Sequence, residues 1–83
     1  MKQGIISNED FSKDYRIKLG VAIKEIRENR GYSQDELAEI MQINRSTISK
    51  IENGKFAFSV DYLAKLGWHL KFDIDLIQTQ IKK

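Results

Sequence analysis

Cysteine and proline are absent from this 83-residue chain, and histidine and tryptophan each occur once. Without cysteine there are no disulfide staples and no thiolate zinc sites, and a lone histidine is too few ligands for a metal centre. The absence of cysteine is also compatible with a reducing compartment. No apolar run approaches the ~20 residues of a membrane span, and the polar N-terminus lacks a signal-peptide core. The cytoplasm is therefore the expected location, with no membrane partner. There is no glycine-rich phosphate loop and no plausible nucleophile beside a base, and so short a chain encloses little pocket volume. These absences argue against an enzyme and against a bound cofactor. A dominant charge is missing too: 14 basic residues face 12 acidic ones, a net of +2. A nucleic-acid partner would have to be held by a local patch, not by overall charge. What is present is 41% hydrophobic residues with charges of both signs scattered among them, which fits one globular domain with a modest core.

The densest pattern runs from Ser33 to Lys55 and reads as two short helices joined by a tight turn. Ser33 and Glu36 form an S-x-x-E capping box. Leu37, Ile40 and Met41 follow at helical spacing, with Ala38 small enough for another helix to approach. Gln42-Ile43 breaks the pattern, and Asn44 is placed to cap a second helix with its side chain. On a wheel of about 100° per residue, Ile48 and Ile51 define the buried side of that helix. Ser46, Ser49, Lys50 and Asn53 then point the other way, flanked by Arg45 and Thr47. A stripe of hydroxyls, amides and cations without large apolar groups suits base edges and phosphates.

Around this centre the chain divides into an arm (1–11), a helical domain (12–67), a strand (68–77) and a polar tail (78–83). The first long helix starts near Ser7 or at Ser12, two caps that the pattern does not separate. Leu19, Ala22, Ile23 and Ile26 make its main face; Ile17 and Val21 make a thinner stripe, to be covered by the arm or by a second subunit. Gly31 and Gly54 stand where helices end in left-handed residues. Ser59 caps a fourth helix, with Val60, Leu63 and Leu66 inward and Gly67 at its end. From Trp68 the period changes: Trp68, Leu70, Phe72, Ile74 and Leu76 alternate with mostly polar residues, as in a strand. A single strand leaves its backbone unpaired. The economical partner is the same strand of a second copy in a two-fold homodimer, with pairing to the arm, or a helix continuing through the region, as the alternatives.

Arg27, Gly31-Tyr32-Ser33-Gln34, Glu36-Leu37-Ala38, Ser46 to Glu52 and Asn53-Gly54-Lys55 together resemble the Cro/phage-repressor (Xre-type) helix-turn-helix family over about Leu19–Leu66. The resemblance implies a mainly α fold, a bundle of four or five helices, here followed by the C-terminal strand. It implies a DNA-binding transcriptional regulator. It assigns Gln34 to a phosphate and to bracing the reading helix. Arg45, Ser46, Ser49 and Lys50 match base-reading positions; Thr47, Asn53 and Lys55 match phosphate contacts. Arg27 and Glu52 match a partly buried ion pair. Gln42 replaces the usual turn glycine, so it either takes a strained positive φ or the turn differs. Phe58 stands where the following linker usually has proline. The strand resembles that of an antitoxin-like subgroup, which adds a toxin protein as a candidate partner beside double-stranded DNA.

Blander roles fit several residues better. Phe56 and Phe58 suit core and linker packing, not base stacking, and Trp68 suits core or dimer interface. His69 suits the surface, and Asp73 and Asp75 the solvated edge of a strand. A protein-interaction module is the competing function.

Overall fold

The computed structural model describes residues 7–78. The arm before Ser7 and the tail beyond Gln78 lie outside the described residues. Four helices follow one another: α1 (Asn8–Asn29), α2 (Gln34–Met41), α3 (Arg45–Glu52) and α4 (Val60–Leu70). Each begins at a residue in extended conformation, and three of the four N-caps use a hydroxyl. Ser7 Oγ accepts from Asp10 N–H, which places the start of α1 a turn before Ser12. Ser33 and Glu36 make both bonds of the capping box, at 3.0 and 2.7 Å. Ser59 Oγ accepts from Tyr62 N–H. Asn44 differs from expectation: it is the N-cap of α3 by backbone conformation, but its side chain makes no capping bond.

Ile23, Leu37, Ala38, Met41, Ile48, Ile51, Leu66 and Leu70 form the core. Burying each of the larger ones is worth about 1.5–3 kcal/mol. Helix α3 packs on both α1 and α2. Ala22, Ile40 and Val60, read as inward from spacing alone, are exposed, Val60 by 82%. On α1 the inward row is instead Gly20, Ile23 and Arg27. Gly20 is where α1 meets α3: a Cβ there would overlap the carbonyl oxygen of Ile51 and lie 2.9 Å from that of Glu52.

The C-terminal strand is not there. Among the described residues there is no strand at all; Trp68, His69 and Leu70 belong to α4, and residues 72–78 are irregular. Leu63, Leu66 and Leu70 keep the 3–4 spacing of a helix, so Leu70 satisfied both periods in the sequence. The helix wins because Leu70 is fully buried, and because the chain ends it with a tertiary cap. Lys71 turns left-handed (φ 63°) and Phe72 N–H reaches back to the Gly67 carbonyl at 3.0 Å. Arg30 of α1 donates from Nε to the Leu70 carbonyl and from Nη2 to that of Lys71, both at 2.8 Å. Gly67 therefore does not end the helix. It lies within α4, where a Cβ would come 2.8 Å from the Phe72 oxygen as the chain folds back.

The turn between α2 and α3 resolves the question at Gln42. Its φ is 58° and ψ 47°, the left-handed region, with Ile43 N–H bonded to the Ala38 carbonyl at 2.9 Å. A non-glycine residue there costs roughly 1–2 kcal/mol, part of which glycine gives back through its looser unfolded chain. Gln42→Gly should raise stability by about 0.5–1 kcal/mol, read as a higher urea midpoint at unchanged slope. A lower midpoint would show that the Gln42 side chain stabilises the turn in some other way.

Candidate nucleic-acid interface

The site starts with two isoleucines. Ile48 and Ile51 are 1% and 0% exposed, which fixes the rotation of α3 about its axis. Arg45, Ser46 and Lys50 are consequently exposed, and Thr47 and Ser49 are half-buried at the edges of the same surface. Asn44, Asn53 and Lys55 are exposed just beyond its two ends. With eight residues, α3 is about 12 Å long, comparable to the ~12 Å width of the major groove of B-DNA.

The neighbouring elements hold this surface in place. Gln34, the first residue of α2, donates from Nε2 to Glu52 Oε1 at 3.0 Å. Glu52 also receives Arg27 Nε at 2.6 Å and Nη2 at 3.1 Å, a two-point pair buried between α1 and the end of α3. The third arm of the guanidinium, Nη1, bonds the Tyr32 carbonyl at 2.7 Å. The hydrogen bond from Glu52 raises the Arg27 pKa above its ordinary value, against the opposing effect of burial. Glu52 is the last residue of α3, where the helix dipole disfavours an anion, so Arg27 supplies the compensating charge. The two residues sit 25 positions apart and meet as the resemblance implied.

Other site residues are committed in part. Asn53 Nδ2 donates to the Ser49 carbonyl at 2.9 Å and reaches Ser49 Oγ at 3.3 Å. Arg45 lies 3.4 Å from Asp35, a solvent-exposed pair of small energetic weight. Among the described residues, Lys50 and Lys55 take part in no ion pair, so both cations are available to a ligand. Sequence reasoning did not find Asp35, Arg30 or Gly20. Only Gly20 carried a signal, a lone glycine inside a helical pattern. The other two act on partners that spacing does not reveal. Of the residues read as a dimer interface, Leu70 is in the core and Phe72 packs against it, while Trp68, Ile74 and Leu76 are exposed.

A helix-turn-helix family model matches residues 23–76, more than half of the chain and all of α2, α3 and α4. The chain belongs to the helix-turn-helix family. Its Cro/phage-repressor resemblance agrees with that match; the strand-bearing subgroup does not, since residues 71–78 form no strand. The ImmF control region 10 kDa protein of Bacillus phage phi105 is 30% identical over 61 residues, covering 74% of this chain and 68% of that protein. The competence pilus inhibition repressor of Acinetobacter baylyi is 36% identical over 50 residues, or 57% of this chain and 46% of the relative. The helix-turn-helix chain thus spans about two thirds of the first relative and under half of the second. Family membership supports a DNA-binding regulatory role in general, and a non-enzymatic one. Among the described residues no group of three or more His, Cys, Asp or Glu is placed to hold a metal. No helix there is long and apolar enough to cross a membrane.

Proposed function

We propose that this helix-turn-helix protein is a sequence-specific transcriptional repressor that reads a near-palindromic operator as a homodimer. The observation that carries the reading is the outward stripe of α3, fixed by buried isoleucines behind it and by the Arg27–Glu52–Gln34 network at its end. Lys50 and Arg45 are suited to donate to guanine O6 and N7, and Ser46 and Ser49 to either donor or acceptor edges. Gln34, Asn44, Thr47, Asn53 and Lys55 surround them as phosphate contacts. Repression draws on the Acinetobacter relative, which is named a repressor. The homodimer draws on an apolar groove along α4 and the chain after it, lined by Val60, Leu63, Ala64, Trp68, Ile74 and Leu76. A second copy seated there would buy two reading helices on one face of the duplex, about one helical turn apart.

Selection from random duplexes tests this directly. The enriched site should hold two inverted half-sites 10–10.5 base pairs apart, centre to centre. Lys50→Ala should then cost about 1–3 kcal/mol of affinity and relax preference at one base position per half-site. A second reading rests on the same groove: a module whose main task is to bind a partner protein, such as a toxin. In that case selection would enrich nothing, and binding would be a salt-sensitive background alone.

A further inference from the structure

The C-terminal end of α3 abuts the first half of α1. Gly54, with φ 74°, lies so close that a Cβ would come 2.7 Å from Ile17 Cγ1 and 3.0 Å from Ile17 Cα. That contact fixes a recess lined by Lys13, Arg16 and Ile17 on one side and Asn53, Gly54 and Lys55 on the other. Three of these six residues are cationic. Among the described residues none of the three is in an ion pair or a side-chain hydrogen bond. The backbone donors of the turn are already used: Gly54 N–H bonds the Ile51 carbonyl at 3.2 Å and Lys55 N–H that of Lys50 at 2.9 Å. Attraction for an anion at this recess is therefore left to the side chains. Lys13 and Arg16 also precede residue 23, where the family match begins, so they are additions of this chain to the motif.

We propose that Lys13 and Arg16, together with Lys55, form a second phosphate-binding site for the DNA backbone flanking the half-site read by α3. The inference rests on the reading of α3 given under Proposed function. The recess lies past the end of α3 opposite to Arg45, and it adjoins the exposed surface of that helix through Asn53 and Lys55. A ligand that lies on α3 and extends beyond it meets these cations next. Their long, flexible stems suit phosphodiester oxygens, and no base edge is required. Acidic Glu9, Asp10 and Asp14 bound the patch toward the start of α1, so it covers a short length of backbone. The site adds affinity without adding sequence information.

The test is the salt dependence of binding to the selected duplex, comparing the wild type with the double variant Lys13→Ala/Arg16→Ala. Both positions are on the surface of α1, and circular dichroism should show an unchanged helical signal. Two lost phosphate contacts should lower the slope of log K against log salt by about 1.8. Between 50 and 200 mM salt the wild type should then lose roughly 12-fold more affinity than the variant. The enriched sequence should be the same for both proteins. Trimming the duplex outside the half-sites should weaken the wild type and leave the variant unaffected. Lys65→Ala, on α4 and outside the recess, should not change the slope. An unchanged slope in the double variant, with the wild type still selecting a sequence, overturns this site and leaves the reading of α3 intact. Failure of the wild type to select any sequence overturns the reading of α3 and this proposal with it.

Discussion

Glu52→Ala should cost about 3–5 kcal/mol of folding stability, because it strands a guanidinium that is buried between two helices. Glu52 accepts three hydrogen bonds, two from Arg27 and one from Gln34, and its removal leaves the donors without an anion. Domains of this kind are stable by only about 5–15 kcal/mol, so the variant should melt far below the wild type. The pair itself is a different matter. Replacing both partners with apolar residues of similar size often recovers stability, since two desolvation costs disappear along with the attraction. Arg27→Met/Glu52→Leu should therefore be clearly more stable than Glu52→Ala alone. Urea unfolding of the three proteins gives the comparison, and additive losses would sink the account. DNA preference should follow the folded fraction. A Glu52→Ala protein that stays folded but loses its preferred sequence would instead make Glu52 part of the reading surface.

Gly20→Ala sets two effects against each other. In an exposed helix interior, alanine is better than glycine by about 1 kcal/mol. At Gly20 the new methyl would collide with the backbone oxygens of Ile51 and Glu52, which cannot rotate away as a side chain would. Such overpacking costs typically 1–3 kcal/mol, and here it also pushes α1 off α3 and lengthens the Arg27–Glu52 contact. The clash should win, with a net loss of about 1–3 kcal/mol in urea or thermal unfolding. The converse exchange nearby, Ala22→Gly, removes a methyl that points to solvent. It should cost only about 1 kcal/mol, the propensity difference. Equal stability of Gly20→Ala and wild type would mean that the two helices do not approach as closely as described.

The two variants also separate what a sequence carries from what it does not. The capping box at Ser33 and Glu36 and the rotation of α3 set by Ile48 and Ile51 are local, decided within one or two helical turns. Each was legible because hydrogen bonds and side-chain direction over that range depend on spacing alone. The start of α1 was half legible: Ser7 and Ser12 were equally good caps, and spacing did not choose between them. Arg27 and Glu52 could be paired only through a family resemblance, because 25 residues of chain separate them. Gly20 looked like a weak point in a helix and is instead the place where two helices touch.

The end of the chain shows the limit most clearly. Residues 68–77 alternate as a strand should, and Leu63, Leu66 and Leu70 repeat as a helix should; the two patterns share Leu70. Nothing within the segment chooses between them. The choice is made by Arg30, 40 and 41 positions away from the carbonyls it caps, by Gly67 giving room to Phe72, and by the core closing over Leu70. By itself the sequence determined the helices around the turn and the outward chemistry of α3, because a helix writes its own period and caps into neighbouring residues. The tertiary structure alone decided how α4 ends, which glycine the helices meet at, and that cations of α1 lie beside Lys55. Those outcomes depend on which distant surfaces are pressed together, and spacing along a chain holds no record of that.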